Sequence, residues 1–215
     1  QTEIGEMPES WEVVKIGDIS STLGSGVTPR GGEKSYLSDG IPLIRSQNVL
    51  MNKISLDDVA FISLDVHRSM NRSEVKSGDL LLNITGASIG RVAYVPKSIK
   101  VANVNQHVCR IRFADSISSG YISYFLSYPK GQSQIMGSQF GTTRQGLNYG
   151  NVRAIKLPLP VILEQNQIAG ILQACDSKIA ALEQEARLLQ ELFRAMLEEL
   201  MSGRLPVGPM VEDAA

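Results

Sequence analysis

The chain has 215 residues, of which 43% are hydrophobic and 20% are charged, with a formal net charge of -1. This composition excludes an intrinsically disordered chain and fits one ordinary domain with an appendage. No apolar run approaches the roughly 18 residues of a membrane span, and no charged-then-apolar leader is present, so we expect a cytoplasmic protein without membrane contact.

The first 160 residues contain short β-branched and aliphatic stretches separated by Gly, Ser, Asn and Pro, a pattern typical of β-strands. The predicted strands are residues 41–44, 59–62, 79–84, 91–95, 101–113 and 154–157. Toward the end of 101–113, apolar and polar residues alternate, so we expect one buried face and a second face from which Arg110 and Arg112 project.

Two further segments of this region depart from the strand pattern. Aromatic residues recur with helical spacing over 121–128, which predicts a short helix that Pro129 ends. Residues 157–160 read Leu-Pro-Leu-Pro, and the two prolines favour an extended, stiff hinge. We therefore predict an α+β chain in which a mostly β domain, residues 1–160, precedes a different C-terminal segment.

Residues 161–203 carry the strongest pattern in the sequence, because apolar residues recur at steps of three and four over more than four heptads. This is the a/d seam of a coiled-coil helix. Its positions are Ile168, Leu172, Cys175, Ile179, Leu182, Ala186, Leu189, Phe193, Met196 and Leu200. At ~1.5 Å per residue the helix would be roughly 55 Å long, and such a helix needs a partner. Gly203 and Pro206 end it, and residues 204–215 form a tail.

The near-zero net charge combines two different surfaces. Residues 1–163 hold 17 Lys and Arg against 13 Asp and Glu, whereas residues 164–202 hold three basic residues against seven acids. A mildly basic domain is therefore joined to an acidic helix. The excess of four positive charges is a weak signal for nucleic acid, so a DNA-binding domain of this kind must concentrate its basic groups on one face.

Catalytic motifs are weak throughout the chain. Asp65, Glu74 and Lys76 have the residue types of a metal-dependent nuclease, yet solvated loop charges explain them as well. Residues 86–91 lack the Lys-Ser/Thr of a phosphate-binding loop and are better explained as a hairpin turn. His107 has no catalytic partner nearby in sequence, and two separated cysteines with two histidines do not suggest a disulfide framework or a zinc site. We therefore expect no disulfide framework, zinc site or ATP site in this chain.

Polar loops between the predicted strands offer another chemistry. They are rich in Arg, Ser, Thr, Asn and Gln, the side chains that contact base edges and phosphates. The loops lie at residues 25–32, 45–48, 85–88, 105–107 and 142–145. On composition alone each is more typical of an ordinary surface loop.

Taken in order, these segments resemble one half of the specificity (S) subunit of a type I restriction-modification enzyme. The N-terminal resemblance rests on Pro-Glu-Ser-Trp-Glu at 8–12, Ser-Gly-Val-Thr-Pro at 25–29, Ile-Pro-Leu-Ile-Arg at 41–45 and Gly-Asp-Leu-Leu-Leu at 78–82. It continues with Asn-Gln at 105–106, Gly-Thr-Thr-Arg-Gln at 141–145, Leu-Pro-Leu-Pro at 157–160, Glu-Gln at 164–165 and Leu-Met-Ser-Gly-Arg at 200–204. Val161 and Ser202 depart from the family pattern, which commonly has Pro and Thr there.

The resemblance implies a non-catalytic subunit that reads one half of a bipartite DNA target. Family members usually carry two recognition domains and two antiparallel helices, whereas this chain has one of each. The resemblance therefore suggests a homodimer with paired helices and a palindromic target, and a ~55 Å helix spans about 16 base pairs. The competing interpretation is that these residues are half of a longer subunit.

The resemblance also implies partners: double-stranded DNA, methyltransferase (M) subunits docked largely on the helix, and a restriction (R) subunit. S-adenosylmethionine, ATP and Mg²⁺ are expected only on those partners. The predicted DNA contacts are Thr28, Arg30, Arg45, Gln47, Asn48, Ser88, Arg91, Gln106, Thr143 and Arg144. The predicted dimer contacts are Ile168, Leu172, Cys175, Ile179, Leu182, Leu189, Phe193 and Met196. The alternatives are a coiled-coil assembly protein that binds no DNA and a nuclease using Asp65, Glu74 and Lys76.

Overall fold

A computed structural model describes residues 6–138 and 146–206 of the chain. The strands are β1 (Glu12–Lys15), β2 (Ser20–Ser25), β3 (Ile41–Ile44), β4 (Ala60–Ile62), β5 (Glu74–Lys76), β6 (Leu80–Asn83), β7 (Val92–Tyr94), β8 (Val101–Val104), β9 (Val108–Phe113) and β10 (Lys156–Leu159). The helices are α1 (Ile16–Ile19), α2 (Leu64–Ser69), α3 (Ser119–Ser127), α4 (Pro129–Gly137), α5 (Tyr149–Ala154) and α6 (Ile162–Met201). The predicted α+β fold, a β-rich domain followed by one long helix, is confirmed.

The chain divides into two compact units, Gln1–Ala169 and Gly170–Ala215. The first unit contains two four-stranded sheets, with strand orders β2-β9-β6-β7 and β4-β3-β8-β5. Neighbouring strands are antiparallel except for β3 and β8, which are parallel. The first and last strands, β1 and β10, form a separate antiparallel pair.

Two apolar clusters pack on opposite faces of the β2-β9-β6-β7 sheet. Leu80 and Leu82 of β6 join the cluster that includes residues of α3 and α4, whereas Leu81 joins the cluster that includes β8 and the end of β3. Strand β6 is therefore covered on both faces. This explains why its sequence is a continuous apolar run rather than an alternating one.

The predicted strand at 101–113 is wrong in one respect, because it is two strands. Residues 105–107 form a turn that separates β8 from β9, and the two strands belong to different sheets. The prediction that Arg110 projects from an exposed face is also wrong. Arg110 is buried, and its guanidinium donates a hydrogen bond to the carbonyl of Glu74 at 3.1 Å because the second sheet covers this face.

The predicted hinge at 157–160 is largely a paired strand. Pro158 lies opposite Val13 in the β1–β10 pair, so most of the segment is held in place by backbone hydrogen bonds. Asn148 and Asn151 form the N-terminal cap of α5, which extends to Ala154. The strand predicted at 154–157 therefore begins two residues later, at Lys156. The helix predicted at 121–128 is confirmed as α3, but Pro129 also begins α4, since proline is favoured in the first turn of a helix.

One buried ion pair stabilises the first unit. The guanidinium of Arg112 donates to both carboxylate oxygens of Asp79, at 2.6 and 2.7 Å, and the Asp79 side chain is only 1% exposed. The hydrogen bond to Asp79 raises the pKa of Arg112. Burial lowers the pKa of the neighbouring Arg110, and repulsion from Arg112 lowers it further. The carboxylate of Asp79 therefore binds Arg112 directly, and its charge also favours the charged form of Arg110.

The described part of the second unit, residues 170–206, consists of the rest of α6 and a short turn. From Gly170 to Ala195 every residue is exposed, including Ile179 at 53% and Phe193 at 67%. Arg204 pairs with Glu198 and Glu199 at the C-terminal end of the helix. No helix in the described part of the chain is long and apolar enough to cross a membrane.

Candidate nucleic-acid interface

The strand order brings several polar loops to one end of the β2-β9-β6-β7 sheet. Ser25 at the end of β2 lies opposite Cys109 near the start of β9, and Asn83 at the end of β6 lies opposite Val108. Leu82 pairs with Val92 at the start of β7. The loops 26–30, 84–91 and 105–107 therefore meet at the same end of this sheet.

The second sheet adds a fourth loop at the same place. The parallel strands β3 and β8 both end there, with Ile44 opposite Val104, and they lead into loops 45–48 and 105–107. The backbone N–H of Asn105 donates to the carbonyl of Ile44 at 3.3 Å. We call loops 26–30, 45–48, 84–91 and 105–107 together the polar end of the domain.

Hydrogen bonds connect these loops to one another. The N–H of Gly26 donates to the carbonyl of Asn105 at 3.1 Å, and the N–H of Ile84 donates to that of His107 at 3.0 Å. The amide of Asn83 donates to the carbonyl of Ser46 at 2.8 Å. A Cβ added to Gly26 would lie 1.6 Å from the carbonyl oxygen of Val104, so this approach requires glycine. The polar end is therefore a fixed arrangement of loops.

Four side chains of the polar end form a continuous chain of contacts. The hydroxyl of Thr28 donates to the amide oxygen of Gln106, and the Gln106 amide nitrogen lies 3.1 Å from Nε2 of His107. Nδ1 of His107 lies 2.5 Å from the hydroxyl of Thr85. Because Gln106 is exposed, its amide faces solvent while its orientation is set by its neighbours.

Most polar groups of loop 45–48 form hydrogen bonds within the domain. Arg45 donates to the carbonyl of Asp58 at 2.9 Å and stacks over Tyr36, with its guanidinium carbon 5.5 Å from the ring centre. Asn48 is buried, and its amide oxygen accepts from the N–H of Arg45. Gln47 is exposed, with its amide donating to the Asp58 carboxylate at 3.0 Å. Of the three predicted contacts here, only Gln47 has an exposed side chain.

Two arginines at the polar end are exposed. Arg30 and Arg91 have no ion-pair partner within residues 6–138 and 146–206. Ser88 is half-buried in the turn between β6 and β7, which confirms that residues 86–91 form a hairpin connection. The structure therefore brings Thr28, Arg30, Gln47, Arg91 and Gln106 together with exposed side chains.

Two predicted contacts, Thr143 and Arg144, lie outside the described residues. The chain is described again from Gly146, which pairs with Thr85 at the polar end, and the N–H of Leu147 donates to the carbonyl of Ile84 at 2.9 Å. Gly146 and Leu147 therefore lie at the polar end.

Sequence reasoning missed Tyr149 at this end. Its hydroxyl accepts from the N–H of Ser25 at 2.9 Å and lies 2.6 Å from the Ser25 hydroxyl. The signal that could have located it is the Asn-x-x-Asn spacing of Asn148 and Asn151, which caps α5 and places Tyr149 at its first position. Nothing in the sequence indicates its partner, which is 124 residues away.

The first two turns of α6 are attached to the domain through a buried glutamine. Gln165 is 2% exposed, accepts from the N–H of Ser118 at 2.9 Å and donates to the carbonyl of Pro160 at 2.8 Å. The indole N–H of Trp11 donates to Glu164 at 3.1 Å. Ile168 is half-buried against the domain core, which places this predicted dimer residue within the first unit.

The other predicted dimer residues lie in the second unit. Leu172, Cys175, Ile179, Leu182, Leu189 and Phe193 are exposed, and Met196 is half-buried. The exposed seam is continued by Leu188 and Leu192, which widen the apolar stripe. Such a stripe of large apolar side chains on a helix is typical of a surface that another helix covers.

The candidate nuclease residues do not form a metal centre. Asp65 pairs with Arg68 at 3.6 Å on α2, while Lys76 pairs with Glu74 at 3.7 Å on β5. Within the described ranges there is no group of three or more His, Cys, Asp or Glu residues that could hold a metal ion. The described structure therefore offers no support for this alternative.

Comparison with known proteins shows a family match along most of the chain. Residues 8–192 match the family of the type I restriction modification DNA specificity domain. The MjaVIII specificity subunit of Methanocaldococcus jannaschii is 26% identical over 211 residues, which cover 96% of this chain and 49% of the relative. The EcoBI specificity subunit of Escherichia coli is 31% identical over 166 residues, 75% of this chain and 34% of the relative.

Solved structures have the same fold. The HsdS subunit of Thermoanaerobacter tengcongensis aligns with a TM-score of 0.61 at 18% identity, covering 95% of this chain and 48% of its own. A chain solved in work on complex assembly and conformational transition of the type I R-M system aligns with a TM-score of 0.65 at 19% identity, covering 93% and 47%. The chain thus spans about half the length of the MjaVIII subunit and of both solved chains, and its match to the EcoBI subunit spans 34% of that relative.

Proposed function

The chain belongs to the family of type I restriction-modification DNA specificity domains, and from this premise we propose that its polar end binds double-stranded DNA and reads one half of a bipartite target. The observation that carries the proposal is the convergence of loops from distant parts of the sequence. Residues as far apart as Thr28 and Gln106 are in hydrogen-bond contact there. Arg30 and Arg91 are available to phosphates or base edges.

The proposal narrows the predicted set of DNA contacts. Thr28, Arg30, Gln47, Arg91 and Gln106 are exposed and are retained. Half-buried Ser88 and Arg45 act mainly by shaping their loops, and buried Asn48 holds loop 45–48 together. Thr143 and Arg144 are kept on the sequence resemblance alone.

In the proposed assembly the chain selects the DNA site while other subunits supply the chemistry. Methyltransferase subunits bring S-adenosylmethionine, and a restriction subunit brings ATP and Mg²⁺. This chain itself carries no reaction.

We also propose that α6 pairs antiparallel with α6 of a second copy. The support is its exposed apolar seam, which includes Ile179 and Phe193. A two-fold axis between the helices would place two identical domains on DNA, and the target would then be a palindrome with an unspecified spacer. The 40 residues of α6 give a length of about 60 Å at ~1.5 Å per residue, enough to set such a spacer.

The test measures DNA affinity for the complex of this chain with its cognate methyltransferase, using wild type, Arg30→Ala and Arg91→Ala over a range of salt concentrations. Loss of a phosphate contact should weaken binding to all sequences and reduce the salt slope by about one, whereas loss of a base contact should affect one position of the target. Lys100→Ala is the control, since Lys100 is exposed just before β8, at the opposite end of the sheet.

A second candidate function, a coiled-coil assembly protein, is favoured by the same exposed seam on α6. Such a protein would show no salt-dependent DNA binding, and neither arginine variant would change its behaviour. Equal, salt-independent signals for wild type and both variants would therefore replace the DNA-binding proposal with this one.

A further inference from the structure

We propose that Gln106 reads an adenine in the DNA target, with its amide held in place by Thr28 and His107; this inference rests on the proposed function. Gln106 is the one exposed glutamine of the polar end whose oxygen and nitrogen both contact other side chains in the described structure. An amide held at both atoms has lost the rotational freedom that DNA binding would otherwise cost.

The hydrogen-bonding capacity of the amide decides which base it fits. An amide has two lone pairs on oxygen and two N–H groups on nitrogen. In Gln106, one lone pair accepts from Thr28, and one N–H donates to Nε2 of His107. Within residues 6–138 and 146–206, one acceptor site and one donor site of this exposed side chain have no partner.

The number of unused hydrogen-bonding sites on Gln106 does not depend on the tautomer of His107. With the imidazole proton on Nδ1, that nitrogen donates to Thr85 and Nε2 accepts from Gln106. With the proton on Nε2, the Thr85 hydroxyl donates to Nδ1 and Nε2 donates to Gln106. The Gln106 amide is then rotated by 180°, so that its oxygen accepts from Nε2 and its N–H donates to the Thr28 hydroxyl. Each arrangement again uses one lone pair and one N–H, so one of each stays free.

A free acceptor beside a free donor matches the major-groove edge of adenine, which offers the N6 amino group as donor and N7 as acceptor. Guanine presents two acceptors at that edge, and the amide can satisfy only one of them at a time. We therefore expect Gln106 to contact an adenine rather than a phosphate or a guanine.

The first experiment selects binding sites from a randomised duplex pool with the complex of the full chain and its cognate methyltransferase. Gln106→Ala should make one A·T position degenerate and leave the other positions unchanged. Gln106→Glu, which has no N–H to donate to N7, should lose adenine at the same position and favour cytosine, whose N4 amino group it can accept from. A wild-type complex that selects no motif would contradict the proposed function itself. A wild-type motif that Gln106→Ala leaves intact would overturn only this inference.

The second experiment tests the contact to the base directly. Replacing the selected adenine with 7-deazaadenine removes N7, and we expect wild-type affinity to fall by roughly five- to a hundredfold. In Gln106→Ala the same replacement should change affinity by less than about twofold, because the partner of N7 is already missing. An equal loss in both proteins would assign N7 to another residue and overturn the inference.

A third comparison separates positioning from a general effect on folding. Thr28→Val keeps the side-chain shape but removes the hydroxyl that holds Gln106, so discrimination should weaken at the same position alone. Thr22→Val makes the identical change on β2 opposite Arg112, away from the polar end, and should leave the motif unchanged. Equal effects of the two variants would contradict the positioning role of Thr28.

Discussion

The two units of the chain handle their apolar residues in opposite ways. In the first unit, strand β6 buries Leu80, Leu81 and Leu82 completely between two clusters. In the second, large apolar side chains such as Ile179 and Phe193 are exposed along the helix. The domain therefore has its own core, whereas the apolar side chains of the helix are left exposed. The stability of the first unit and the self-association that we propose for the second can therefore be tested by separate substitutions.

The largest expected effect comes from a charge in the helix seam. Ile179→Asp should weaken self-association by at least about 1,000-fold, because burying an unpaired carboxylate between two helices costs about 4 kcal/mol or more. Sedimentation of the variant across a concentration series measures the change. Ala181→Asp adds the same charge two residues away, off the seam, and should leave association intact. Self-association that survives Ile179→Asp would rule out this seam as the contact.

The next effect concerns the core of the first unit. Asp79→Ala should lower its free energy of unfolding by about 3 kcal/mol, because Arg112 loses its partner while it stays close to Arg110. Fluorescence of Trp11, the sole tryptophan of the sequence, reports the unfolding of this unit. Glu198→Ala breaks an exposed ion pair to Arg204 in the second unit and should leave the same transition unchanged. Equal unfolding midpoints for Asp79→Ala and Glu198→Ala would contradict the stabilising role of Asp79.

The smallest effect is a difference in thiol reactivity, measured on the Ile179→Asp variant so that self-association does not cover the helix. Burial raises the pKa of Cys109 to about 12, whereas Cys175 is exposed. The Cys109 thiolate fraction is therefore negligible at pH 8 and increases only as the pH approaches 12. A disulfide reagent at pH 8 should label one thiol quickly and the second only after unfolding. Cys175→Ser should remove the fast phase, and a fast phase that persists would show that Cys109 is accessible.

The sequence predicted the helix better than the domain, and the reason is physical. A heptad pattern is a local signal, and it identified α6 over most of its length, from Ile162 to Met201. Strand β5 is only three residues long, and β1 is held by pairing with residues more than 140 positions away. Such contacts leave no periodic signal in the chain, so these strands were not predicted.

The candidate interface was predicted by residue type but not by accessibility. Polar loop composition together with the family resemblance identified Thr28, Arg30, Arg91 and Gln106, all of them exposed at the polar end. The same reasoning also selected Asn48, which is buried because its amide caps its own loop. Composition distinguishes polar loops from apolar strands, but only the tertiary structure shows which polar groups are already satisfied.

The pairing of β1 with β10 has a consequence for exchange of the domain as a unit. Glu12 lies opposite Leu159 and Lys15 opposite Lys156, so the chain enters and leaves the domain through one two-stranded ribbon. If a different domain were inserted between β1 and β10, only the pairing of these two strands would have to form again. Helix α6 would still begin three residues after the end of β10. The architecture is therefore that of an interchangeable cassette, in which the polar loops can be replaced while the helix that follows is kept.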